Sequence, residues 1–187
     1  MKIFIDNCLG SDMPGKRSPD VLFPEYLYSC LIVSYVTAIL SDCCYDAQLI
    51  VPETSDIPLP PPRNSDIPLA ERCRRVNAVC DEVGESNVLL VNILVSVSGS
   101  DGKWYSASGC LVFKTPGITR AGMLVFDLYE AARKYIVGQK IRQDNGSMEP
   151  DFEENFDNLR HSRCTAVLTE NMFQDCRIVC NSFTVLV

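Results

Sequence analysis

With 187 residues, 47% of them hydrophobic and 22% charged, the chain is long enough for one domain with a sizeable core and too apolar to be disordered. A formal net charge of −7 excludes a general nucleic-acid binder, which needs clustered Lys and Arg to neutralise phosphates. The ten cysteines, Cys8, Cys30, Cys43, Cys44, Cys73, Cys80, Cys110, Cys164, Cys176 and Cys180, form no C-x-x-C pair. Several lie inside apolar helix or strand patterns, which points to reduced, mostly buried thiols rather than a disulfide framework or a zinc finger.

In chain order, Lys2-Ile3-Phe4-Ile5 is β-branched and aromatic and predicts a strand. Asp6-Asn7, Gly10, Pro14 and Gly15 then end it in a turn-rich loop. In open α/β sheets ligands collect at the carboxyl ends of strands, so this loop is a candidate site. The basic pair Lys16-Arg17 within it reads, by itself, as solvated. No secretory signal is expected, because Asp6 interrupts the apolar start and no small-residue cleavage site follows. Tyr26 to Leu40 predicts the first helix, whose apolar part is too short to span a bilayer and carries Ser and Tyr, so it reads as a core helix without membrane contact. Ala47 to Val51 predicts a second strand, stopped by Pro52.

The segment Ser55-Asp56-Ile57-Pro58-Leu59 recurs as Ser65-Asp66-Ile67-Pro68-Leu69, with Pro60-Pro61-Pro62 between the copies. This reads as a duplicated, exposed and dispensable loop, Ser55 to Asn64, able to extend as polyproline II. Leu69 to Val83 predicts the second helix, with Leu69, Cys73, Val76 and Cys80 on its apolar face, Arg72, Arg74 and Arg75 mostly elsewhere, and Gly84 ending it. The near-continuous apolar run Val88 to Val97 is the signature of a central strand covered on both faces. Trp104 to Lys114 predicts another strand, Thr119 to Tyr135 a third helix, Ile141 a short strand, and Phe152 to Leu159 a helical or turn segment. Thr165 to Leu168 predicts the last strand, delivering Glu170 at its carboxyl end, while Ile178 to Val187 shows no helical register. Strands alternating with helices predict a single α/β domain over residues 1–187, with a mostly parallel or mixed central sheet flanked by helices.

Several blocks in order carry a resemblance. They are IDN-x-x-G from Ile5, PGKRSPD from Pro14, Glu25-Tyr26-x-Tyr28, Val51-Pro52-Glu53, Asp66 to Cys80, Asn87 to Ile93, Asp151 to Phe156, and Ala166 to Phe173. Together they resemble the zinc-dependent N-acetylmuramoyl-L-alanine amidases of the cell-wall hydrolase class, especially the form found in Bacteroidales and their phages. The resemblance implies an α/β fold of the zinc-amidase type, hydrolysis of the amide between N-acetylmuramic acid and L-alanine, and peptidoglycan or muropeptide as partner. It implies Glu25 as a zinc ligand and Glu170 as the catalytic carboxylate. It also implies two histidine ligands, and at those positions this chain has Leu9 and Leu94. A closing helix after the Glu170 block is part of the pattern, and with only 17 residues following Glu170 it is expected to be missing.

Zinc takes three protein ligands plus a water in such sites, and leucine has no donor atom. Cys8 is a zinc ligand by type but neighbours Leu9 and should point the other way in a strand. His161 is the only histidine and reads as structural. The expectation is therefore zinc in the family and none or weak binding here. Three readings follow: an inactive or impaired amidase-fold protein that keeps affinity for muropeptides, an amidase with a rearranged metal site, or a protein-binding module acting through its surface helices or the proline run. The expected location is cytoplasmic, or the cell wall after lysis or another export route.

Overall fold

The computed structural model describes residues 1–7, 15–51, 67–117, 119–144 and 152–183. Cys8, Leu9 and the duplicated loop Ser55 to Asn64 lie outside the described residues. Six strands form one sheet: β1 (Lys2–Asp6), β2 (Asp46–Leu49), β3 (Val88–Ser96), β4 (Leu111–Lys114), β5 (Phe152–Glu153) and β6 (Thr165–Phe173), in the spatial order β2-β1-β3-β6-β4-β5. Every pairing is parallel except β4 with β6, so the sheet is mixed.

The sheet is sandwiched by helices. α1 (Glu25–Asp42) and α3 (Ala121–Tyr135) cover one face, through Val33 against Ile3, Ile5 and Ile93, and Val125 against Val112 and Val167. α2 (Leu69–Val83), α4 (Asp157–Arg160) and α5 (Arg177–Phe183) cover the other, through Val76, Leu159 and Val179 against Val88, Leu90 and Leu168. β3 and β6 alternate between the two cores, which is why both read as apolar runs. Because α1 and α2 lie on opposite faces, the chain reverses its winding between β1 and β3. Open α/β sheets bind ligands in the crevice outside such a reversal, so the carboxyl ends of those strands are the candidate crevice.

Several segments depart from the sequence reading. β6 continues past Leu168 to Phe173, so Glu170 sits within the strand and not after it, bonded on one side to β3 and on the other to β4. Only Leu111–Lys114 of the Trp104 to Lys114 segment is a strand, since upstream only isolated bridges at Tyr105 and Cys110 meet other backbone. Phe152 opens with a two-residue parallel strand before α4. Where the sequence shows no helical register, a two-turn helix, α5, follows β6 and buries Val179 and Cys180; two turns are too few for an apolar period to show in sequence.

Arg72 also departs from its expected place, being 2% exposed. It forms an ion pair with Asp6 at the end of β1 and donates to Asn7 Oδ1 (3.2 Å) and the Ile67 carbonyl (2.8 Å). A buried carboxylate requires such a partner, and the periodicity of α2 alone cannot show it. Among the described cysteines, only Cys43 and Cys44 are exposed. Burial pushes the Cys110 thiol up to about 11 and those of Cys164 and Cys180 to about 12, which keeps them protonated and unreactive. Among the described residues no helix is long and apolar enough to cross a membrane.

Candidate functional site

Glu25 opens α1 and is fully buried, at 0% exposure. Pro24 precedes it without a side-chain cap, and the Glu25 amide instead donates to the Lys16 carbonyl (3.1 Å). That contact belongs to a tight reversal in which Arg17 bridges Pro24 and the Ser18 amide donates to the Phe23 carbonyl (2.8 Å). Its carboxylate crosses to β3, where Oε1 accepts the Val95 amide at 3.0 Å. Oε2 accepts no hydrogen bond among the described residues. The Lys16 ammonium stands 3.7 Å from it, too far for a hydrogen bond and near enough for an ion pair.

Glu170 lies level with Leu94 in the parallel register of β3 and β6. Just beyond, Ser96 pairs with Phe173, so β6 carries one extra residue there. A bulge of this kind twists a strand locally and re-aims its side chains, and here it falls beside the two carboxylates. The Glu170 carboxylate receives a hydrogen bond from the Ser96 side chain and feels the charges of Lys16 and Arg142. The Arg142 guanidinium stacks 5.3 Å from the centre of the Phe173 ring.

Burial raises the Glu25 carboxyl above the usual carboxylate range, against the pull of Lys16 and the Val95 amide, and the neighbouring Glu170 charge adds to the rise. Burial raises Glu170 too, opposed by Ser96, Lys16 and Arg142. Carboxyl groups raised in this way are suited to exchanging a proton with a bound group. Polarising an amide carbonyl would fall to a metal or to another positive group.

The structure thus brings Glu25, Glu170 and Leu94 together at the carboxyl edge of the sheet. Leu9 and Cys8 lie outside the described residues. His161 does not join them: it is exposed at the end of α4, near the amino end of β6, where it faces Asp157 at 3.8 Å. Among the described residues no three His, Cys, Asp or Glu side chains gather in a way that could hold a metal ion.

Three residues of the site went unread in the sequence. Lys16, expected to be solvated, is an ion-pair partner of a buried carboxylate and only 32% exposed at its side chain. Ser96 and Arg142 carried no signal, because one belongs to an apolar strand and the other to a segment placed only by tertiary pairing. The clues available for Lys16 were its place in the candidate loop after the first strand and in the PGKRSPD block.

Comparison with solved structures finds the same architecture in N-acetylmuramoyl-L-alanine amidases. The chain is similar to the N-acetylmuramoyl-L-alanine amidase of Clostridium difficile 630, with a TM-score of 0.74 and 21% identity over 98% of this chain and 85% of that one. It is similar to the N-acetylmuramoyl-L-alanine amidase AmiC2 of Nostoc punctiforme, with a TM-score of 0.71 and 18% identity over 98% and 86% of the two chains. The CwlD amidase of Clostridioides difficile, solved in complex with the GerS lipoprotein, gives a TM-score of 0.69 and 14% identity over 98% and 87%. At these identities the likeness establishes the fold, which is that of N-acetylmuramoyl-L-alanine amidases. No family model matches the sequence, and no curated protein does.

Proposed function

We propose that this chain is an amidase-fold protein whose crevice still receives peptidoglycan fragments but is inactive or strongly impaired in hydrolysing them. The observation that carries this reading is the place of Leu94, level with Glu170 and adjacent to the Val95 amide that anchors Glu25. At that place the sequence resemblance implies a histidine ligand, and an alkyl side chain supplies no lone pair. The surrounding frame is retained, since both carboxylates are held by main-chain and side-chain contacts in one crevice. When bound in such a site, zinc activates water and polarises the scissile carbonyl, and the residues described here do not fit that role. Of the two carboxylates, Glu170, half-buried where Glu25 is 0% exposed, is the residue we assign to contact with a muropeptide's amide groups.

Elemental analysis of the purified protein together with incubation on isolated peptidoglycan tests the reading. The expected result is well below one zinc per chain, retention of the protein on sedimented peptidoglycan, and no release of stem peptides. Stoichiometric zinc with peptide release would overturn it in favour of a rearranged metal site. Absence of retention would point to a module that binds other proteins.

A further inference from the structure

Two carboxylates that share a crevice repel each other, and burial makes the repulsion costly unless positive charge is supplied nearby. In a metal site the ion supplies it. Here two side chains of the chain itself face the pair. Lys16 Nζ stands 3.7 Å from Glu25 Oε2, the buried oxygen that accepts no hydrogen bond. Arg142, stacked on Phe173, adds a second positive charge that favours the ionised form of Glu170.

The backbone beneath Lys16 is held in place. Its carbonyl accepts the first amide of α1 at 3.1 Å, and the next residue, Arg17, bridges Pro24. The preceding carbonyl, that of Gly15, accepts the Gln174 side-chain amide at 3.3 Å. Gln174 is itself 1% exposed and follows directly on β6, the strand that carries Glu170. Lys16 is thereby tied to both elements that deliver the carboxylates, α1 and β6.

We propose that Lys16 is a tethered counter-ion of the Glu25–Glu170 pair, its ammonium taking the electrostatic place that a divalent cation would otherwise fill. A cation fixed there by the backbone lets the crevice keep its shape without a metal and disfavours the entry of one. It rests on the reading above for the position of the crevice, and not on whether peptidoglycan binds there.

A double-mutant cycle in urea, with Mn2+ and Zn2+ titrations by calorimetry, decides the matter. Lys16→Met should lower the folding constant about tenfold in the parent, where it strands a buried carboxylate, and less than about twofold in a Glu25→Gln background. Lys16→Arg, which keeps the charge, should stay near the parent. Freed of its ammonium, the carboxylate pair of Lys16→Met should bind Mn2+ at least about tenfold more tightly than the parent does, as hard oxygen ligands favour such cations. An equal loss of stability in both backgrounds, or equal Mn2+ affinity in parent and variant, would overturn the proposal. Should Lys16→Met alone fail to fold, recovery of folding in Lys16→Met/Glu25→Gln supports it and failure there as well overturns it. Zn2+ bound by the parent as tightly as by Lys16→Met would also count against it. Loss of peptidoglycan retention in the parent would sink the functional reading while leaving the cycle intact.

Discussion

The Glu25 carboxyl has an unusual position for a helix-opening residue: instead of capping its own helix it reaches across to β3 and loses all contact with solvent. Facing it are Lys16, the Val95 amide and Glu170, and burial outweighs the two stabilising partners, so the folded carboxyl holds its proton to higher pH than the ordinary value of 4.5. The consequence for stability has a definite sign. Below that value both folded and unfolded chains carry the proton, and the favourable contribution is complete. As pH rises through the raised folded value, the unfolded chain has already released its proton and stability is lost. Glu25→Gln cannot ionise, so its stability relative to the parent should grow from pH 4 upward and then level off. Urea unfolding at a series of pH values checks this, and a difference that stays constant with pH would show that the carboxyl is not buried.

At the level of elements, the site depends on how β4 and its neighbours are fitted to β6. Gly109 has φ 109 and lies so close to the Lys140 carbonyl that an added Cβ would collide with it. That close approach lets the Cys110 amide donate to the Lys140 carbonyl (2.8 Å) and the Arg142 amide to the Cys110 carbonyl (2.8 Å). The two bonds fix the backbone from which Arg142 reaches over Phe173. Gly109→Ala meets both a disfavoured backbone conformation and a backbone clash, and should cost about 1–3 kcal/mol. Thermal unfolding measures the loss, and an unchanged midpoint would mean that the segment around Lys140 is free to move away. The short pieces in this region, β5, α4 and the bridge at Ile141, were hard to read for the same reason. Each is held by long-range pairing and not by a period of its own.

For the molecule as a whole, stability should be concentrated where β3 and β6 pair. They are the two longest strands, nine residues each, and each is covered on both faces. Leu90, Val167 and Leu168 are at most 2% exposed. Their amides open only when the entire domain unfolds, whereas the edge strand β2, with alternating exposed residues, opens locally. Amide hydrogen exchange should therefore be slowest at Leu90 to Ile93 and Val167 to Thr169 and much faster at Asp46 to Leu49. Equal rates across these segments would contradict a sheet organised around β3 and β6.

Local pattern was enough to determine the α/β class, the three adjacent strands β1, β3 and β6, the helices α1, α2 and α3, and the burial of most cysteines. Each of these follows from apolar periodicity or from runs of β-branched residues within ten to twenty positions, which is the range over which composition reports burial. Ordered blocks spread along the chain had also singled out Glu25, Glu170 and Leu94. What only the tertiary structure decided is the charge arrangement around them. Lys16 lies nine residues before Glu25, Ser96 and Arg142 come from two further segments, and Arg72 meets Asp6 across 66 positions. Ion pairs between distant residues leave no period in a sequence, because their partners are chosen by where the sheet and its crevice bring side chains out of water together.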